Sequence, residues 1–298
     1  MKRSPLSRSA FLTLLLVASM MGGNHVAARL AFNHGVDVAT AVAARSSITT
    51  MVVILLLLWQ GVSLRIESRH IRPLLLIGAL ISVQSLTLYS SVARLPVALA
   101  LLAFNTYPLW AAFWDWLLYR RTPERAVLLA MPILLLGLSL ALDVLGAASG
   151  LGAAGQWGRI GAGVAFALTA ASTFALALVI TQHRAAEVDG RVRTVTTLGM
   201  VGVMAMLVVT LQGGPHLPQS IPGWWGLVLL TFLYGTAFTI MFTVLPKLGV
   251  VGGSPIMNVE PIVALVLAWI VLDQSIAAMQ VVGGLMVVGT VMALGLRR

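Results

Sequence analysis

Residues 248–272 read LGVVGGSPIMNVEPIVALVLAWIVL, and residues 95–119 read LPVALALLAFNTYPLWAAFWDWLLY. Set 153 positions apart, Leu95 meets Leu248, Asn105 meets Asn258, Pro108 meets Pro261 and Trp116 meets Trp269, with Arg94 facing Lys247 just before. Each stretch is apolar and long enough for a bilayer-spanning helix of about 20 residues. Each also carries Asn-x-x-Pro near its middle. Proline withholds a backbone donor, so the carbonyls of Phe104 and Met257 lose their helical partners. In hydrocarbon a bare carbonyl costs on the order of several kcal/mol unless protein or a water-filled cavity meets it. The repeated defect predicts two kinked helices, at Pro108 and Pro261, beside a polar chamber, with the neighbouring asparagines as local donors. A packing kink without a ligand is the alternative, since proline is frequent in membrane helices.

Outward from these two stretches, apolar runs bounded by charge, Pro or Gly predict ten spans. Their limits are 10–30, 38–60, 73–91, 96–118, 126–145, 159–182, 194–213, 223–244, 251–272 and 276–296. The small, Gly-rich ALDVLGAASGLGAAGQWGRIG between the fifth and sixth reads as a loop and as the seam between halves, 1–150 and 151–298. The twin stretches are then the fourth span of each half. Five is odd, so the second half must sit upside down relative to the first. Inverted repeats with helices broken near the midplane are a transporter signature. The fold class expected is an all-α polytopic membrane protein of ten transmembrane helices in two inverted five-helix repeats.

Bulk composition agrees. The 298 residues are 59% hydrophobic and 9% charged, against roughly 25% charged in an average soluble domain. The formal charge of +10 does not point to nucleic acid, because the basic residues fall in short clusters between apolar runs, as the positive-inside rule produces. With the N-terminus in the cytoplasm, ten spans return the C-terminus there. Only Arg29, Arg45, Arg94 and Arg159 of the 19 basic residues then fall outside cytoplasmic segments. The chain has no cysteine, which removes disulfides, thiolate metal sites and thiol nucleophiles. Its five histidines show no ligand spacing, and no phosphate-binding P-loop motif occurs. No cofactor and no metal are expected. The basic N-terminus followed by an apolar run has the look of a signal peptide, but the run continues to Ala31 and reads as the first span.

Asn-Val-Glu-Pro-Ile-Val-Ala-Leu-Val-Leu-Ala-Trp at 258–269, Leu272-Asp273, Gly283-Gly284 and Gly289 resemble the EamA-type drug/metabolite transporters. Arg45 in the second span and Gly-Gly-Asn-His-Val-Ala-Ala-Arg in the first fit the same pattern, and the likeness covers nearly the whole chain. The resemblance implies a proton- or gradient-driven carrier of small metabolites, often an exporter, in a cytoplasmic (inner) membrane. Within the family the sequence looks most like aromatic amino-acid exporters. It departs from the pattern at Arg120, where an acidic residue is usual, and at Phe174, where the sixth span commonly has Trp.

The buried polar residues supply the candidate cavity. Glu260 lies near mid-depth, where a charge costs about 2.5–3.5 kcal/mol on the insertion scale. It would carry the coupling proton or face a substrate ammonium; a structural carboxyl bonded to a neighbouring helix is the alternative. Arg45 could pair with Glu260, bind a substrate carboxylate through its bidentate fork, or snorkel outward. Asn24 and His25 fall in the outer half of the first span and Gln84 in the middle of the third, as cavity ligands or as satisfied helix–helix contacts. Tyr107 and Trp110 begin an aromatic face beside Asn105 and sit too deep for an interfacial belt, whereas Trp114 and Trp116 suit one. Planar or cationic groups stack on such a face. Asp115 is read as the partner of a basic loop residue, Tyr89 as an interfacial anchor, and Tyr234 as a contact candidate in the eighth span. The partners expected are a small amphiphilic substrate, the bilayer and protons, with monomer or homodimer left open. Export of cationic drugs is the nearest rival. An intramembrane enzyme lacks a nucleophile, metal or acid–base constellation here, and a non-transporting scaffold is the third reading.

Overall fold

The computed structural model describes residues 8–62, 66–123, 125–244, 259–274 and 277–297, and among these all the regular secondary structure is helical. In chain order the helices are α1 (Arg8–Asn33), α2 (Val38–Trp59), α3 (Ser68–Val92), α4 (Val97–Phe104), α5 (Tyr107–Tyr119) and α6 (Arg125–Ala141). They continue as α7 (Gly152–Arg184), α8 (Gly190–Leu211), α9 (Ile221–Thr243), α10 (Glu260–Leu272) and α11 (Ala278–Arg297). Among the described residues seven stretches are long and apolar enough to cross a membrane: α1, α2, α3, the α4–α5 run, α7, α8 and α9. The helices α6, α10 and α11 are apolar but shorter.

The chain breaks where the first Asn-x-x-Pro predicts. Asn105 and Thr106 separate α4 from α5, and Pro108 occupies the first turn of α5, where a missing N–H costs nothing. The expected donor is wrong, however. Among the described residues the buried Asn105 side-chain nitrogen has no hydrogen-bond partner. Thr106 donates its hydroxyl to a different carbonyl, that of Ala103 at 2.8 Å, the local competition with helix bonding that short hydroxyl side chains offer. Asn258 and the first part of the expected ninth span lie outside the described residues. The helix after them repeats the first half: α10 begins at Glu260, 153 positions after Tyr107, and ends at Leu272, 153 after Tyr119. Both helices carry Pro in the first turn. Both end on a non-glycine residue in the left-handed region, Arg120 at φ 56° and Asp273 at φ 51°.

The seam also departs from the reading of the sequence. α7 starts at Gly152, ahead of the expected 159, and its 33 residues reach about 50 Å, more than the ~30 Å hydrocarbon core. The loop before it is ordered by side chains. Asp143 accepts backbone N–H bonds from Ala148 at 3.0 Å and Ser149 at 2.8 Å, and buried Gln156 donates to the Leu142 carbonyl at 3.0 Å. Those amides, Ala148 foremost, hold the Asp143 carboxyl below its ordinary range. Their stabilising effect is therefore full above the usual aspartate pKa and fades as pH falls through the lowered one.

Helices of one half pack mainly on helices of the other: α1 on α9, α2 on α8, α3 on α7 and α6 on α11, with α10 against α1 and α5 against α7. Exchanging the halves leaves this pattern unchanged, since α3 on α7 is the image of α9 on α1, and α5 on α7 the image of α10 on α1. The equivalent helices run antiparallel. Gly202 sits against Ser47 and Gly199 against Thr50 along α2 and α8; Gly137 meets Met286 while Gly283 meets Ala141 along α6 and α11. A twofold axis crossing the helices is the operation that brings equivalent elements together in opposite directions. A Cβ at Gly283 would stand 2.4 Å from the Ala141 nitrogen and the Gly137 carbonyl, so the last pair meets backbone to backbone. At the centre, every residue of α4 from Val97 to Ala103 is buried, as expected of a helix apolar on all sides.

Candidate functional site

A cavity of about 240 Å³ opens between α3, α7, α8 and α9, on the surfaces where the two halves meet. Gln84 and Ser85 from α3, Phe174 from α7, Thr194 and Thr197 from α8, and Tyr234 from α9 contribute its walls, with Arg193 toward the end where the basic clusters lie. Among the described residues no carboxylate lines its walls.

Arg45 stands directly behind two of those walls. Its guanidinium donates to Ser85 Oγ at 3.1 Å and lies between two aromatic rings, 4.0 Å from the Tyr234 centroid and 4.4 Å from that of Tyr89. Stacked desolvated cations of this kind gain about 2 kcal/mol or more. The residue is 2% exposed, and its Nε has no partner among the described residues. Burial of this order removes the snorkelling alternative. Among the described residues no ion pair joins Arg45 to a carboxylate, so its positive charge is met by two π faces and a hydroxyl. A buried charge without a full partner is costly, and a ligand carboxylate within reach would relieve it.

Behind Tyr89 the network continues. Tyr89 donates a short hydrogen bond to the Asn24 side-chain oxygen, and Asn24 donates its amide to the Met21 carbonyl at 2.8 Å. The His25 ring stands 5.4 Å from the Tyr89 ring. His25 Nε2 lies 3.1 Å from Glu260 Oε1. That contact exists because α10 approaches α1 closely at Gly22, where a Cβ would stand 2.9 Å from the Glu260 carbonyl. From Glu260 through His25, Tyr89 and Arg45 to Ser85 and Tyr234, side chains in contact lead from the first turn of α10 to the cavity, joined between His25 and Tyr89 and between Tyr89 and Arg45 by ring contacts.

The placement of the sequence candidates is uneven. Asn24, His25, Arg45, Gln84, Tyr234 and Glu260 fall in or along this chain. Tyr107 packs instead on Phe104 and Phe174, at 5.9 and 5.3 Å between ring centroids, next to the cavity wall that Phe174 forms. Trp110 is half-buried and meets Phe113 edge-on, away from the walls, and Asn105 is buried at the α4–α5 break. Tyr89 corrects its expected role: at 1% exposure it anchors nothing at an interface. Its stripe was readable, because Ser82, Ser85, Tyr89 and Val92 recur at helical spacing and all are buried. Asp115 pairs with His183 of α7 at 2.9 Å, not with a loop arginine. Trp114 donates its indole N–H to Ser172 at 3.2 Å.

At the end opposite the basic clusters the halves are tied together. His216 Nδ1 meets Asp37 Oδ2 at 2.5 Å, the His216 amide donates to Thr40 Oγ1 at 3.1 Å, and the Gln219 amide donates to the His34 carbonyl at 3.0 Å. Among the described residues no group of three or more His, Asp or Glu could hold a metal ion.

Comparison with known proteins agrees with this architecture. The EamA-like transporter family matches twice, over residues 8–142 and 161–296. Among solved structures, a crystal structure of a protein is similar over 98% of this chain and 99% of that one, with a TM-score of 0.63 and 21% sequence identity. At that identity the likeness speaks to the fold alone. No curated protein matches.

Proposed function

This chain belongs to the EamA-like transporter family, and on that premise we propose that it is a secondary carrier of small zwitterionic or anionic metabolites, foremost amino acids with aromatic or hydrophobic side chains. The observation that carries the reading is the cavity shared by the two halves, with Arg45 behind Ser85 and Tyr234 and no carboxylate in its walls among the described residues. A substrate carboxylate would find Arg45 by displacing the Ser85 contact. An aromatic or aliphatic portion would lie on Phe174 and Tyr234. A volume of about 240 Å³ falls below the roughly 300–1,000 Å³ of drug-sized sites, and a cation would meet arginine where it needs an anion. Both features weigh against the cationic-drug alternative.

In this reading the chain crosses the inner membrane ten times, with residues 1–150 and 151–298 as inverted units and both termini in the cytoplasm. The tie through Asp37 and His216 then closes the outer side, and the cavity faces inward toward Arg193. Alternating access would rock one half against the other about the twofold axis, loosening the outer tie as the inner mouth closes. Glu260, paired with His25, would carry the coupling proton, and no covalent chemistry is involved.

The test is uptake by purified protein in liposomes against a panel of amino acids, organic acids and quaternary cations, with and without an imposed pH gradient. Gradient-dependent accumulation of aromatic or hydrophobic amino acids, lost in Arg45→Gln, is the expected result. Accumulation of quaternary cations with Arg45→Gln unimpaired would sink the proposal.

A further inference from the structure

A second cavity, about 660 Å³, lies at the basic end of the molecule between α3, α5 and α7, away from the walls of the first. Its rim carries three guanidinium groups, Arg69, Arg72 and Arg184, beside Tyr119, and its lower walls are leucines including Leu76 and Leu118. The three arginines are not equivalent. Arg69 is neutralised by Glu67 at 2.7 Å and Glu187 at 3.0 Å. Among the described residues Arg72 and Arg184 make no ion pair and no acidic residue lines the cavity. Tyr119 is held in place by stacking on His183, 3.7 Å between ring centroids, which is itself fixed by Asp115. Leu76 and Leu118 are 50% and 49% exposed, on a flank that in a membrane faces acyl chains.

Two uncompensated cations above an apolar slot describe an amphiphile with an anionic head and a hydrocarbon body. We propose that this groove is a binding site for one anionic phospholipid of the cytoplasmic leaflet. Arg72 and Arg184 grip its phosphodiester, Tyr119 lies at headgroup level, and an acyl chain runs down past Leu76 and Leu118. Guanidinium suits phosphate because its planar fork donates two parallel hydrogen bonds. The leaflet follows from the positive-inside sorting that places these arginines in the cytoplasm. Arg72 belongs to the first half and Arg184 to the second, so a bound lipid bridges the halves at the end opposite the Asp37–His216 tie. The inference rests on the membrane reading and is independent of which substrate is carried.

Native mass spectrometry of the full chain, released from detergent with phosphatidylglycerol or phosphatidylcholine added, tests it. The expected result is preferential retention of phosphatidylglycerol, weakened roughly thirtyfold in Arg72→Gln/Arg184→Gln, given about fivefold per arginine near a charged surface. Arg94→Gln, an arginine that stacks on Phe166 elsewhere, should retain the lipid as the unaltered protein does. Thermal unfolding in lipid-free detergent keeps a folding defect apart: the double variant should melt like the parent there and lose only the lipid-dependent rise. Equal retention of the two lipids, unchanged retention in the double variant, or displacement by millimolar inorganic phosphate would each overturn the proposal. Because the readout is binding, it stands or falls whether or not amino-acid transport is observed.

Discussion

Helices α5 and α10 are the same piece of chain written twice. Each has 13 residues, begins one residue before a proline, and stops at a left-handed residue. Their first residues are nevertheless different in kind. In the first half that position is Tyr107, packed on Phe104 and Phe174. In the second it is Glu260, facing His25 across 3.1 Å. The repeat therefore preserves backbone geometry and varies the chemistry placed on it. One half offers a phenol in an aromatic cluster, the other a carboxylate next to an imidazole. The carboxylate–imidazole contact that the proposed proton coupling would use is therefore present on one copy of the helix and absent from the other.

Four groups of substitutions press on that contrast. The largest effect is expected at Glu260. In Glu260→Gln, accumulation driven by a pH gradient should fall to background while substrate counterflow in liposomes persists; retained accumulation would make the two halves equivalent after all. Next comes Tyr107→Ala, which removes two aromatic contacts and should cost about 1–3 kcal/mol of stability, read by chemical unfolding in micelles. Third, Pro108→Ala and Pro261→Ala each restore a backbone donor at a helix start. Each should change stability by no more than about 1 kcal/mol yet slow counterflow, if the breaks serve motion more than folding. The smallest effect concerns the left-handed termini. Arg120→Gly should stabilise by about 0.5–1 kcal/mol and Asp273→Gly by less, because aspartate tolerates that conformation better than arginine; paired melting curves decide it.

The same contrast shows what the sequence could reveal. Two prolines at matched positions announced the repeat, the first helix break and the register of 153 residues, because those are local backbone chemistry repeated in a solvent that punishes it. Partners were harder to read. Glu260 finds His25 only because α10 packs on α1, a contact between residues 235 positions apart that no periodicity encodes. Tyr89 sits near a helix end, where tyrosine ordinarily meets headgroups, but it turns inward because Arg45 and Asn24 offer it a ring partner and an acceptor. Phe174 stood out only as a departure from the family pattern and proves to line the cavity. The early start of α7 was hidden by glycines and alanines that suit either loop or helix; buried Gln156, tied to the Leu142 carbonyl, settles it.

The glycine-to-backbone contact of α6 with α11 has a consequence for how the chain comes together. Each half presents to the other a copy of the surface it receives, which is the arrangement of a self-associating pair joined into one polypeptide. The ten-residue tether at 142–151 replaces a collision between two molecules with a closure inside one, at an effective concentration on the order of millimolar. Assembly of the bundle thereby becomes insensitive to how much protein the membrane holds, and each copy is guaranteed a partner of opposite orientation that it would otherwise have to find by chance.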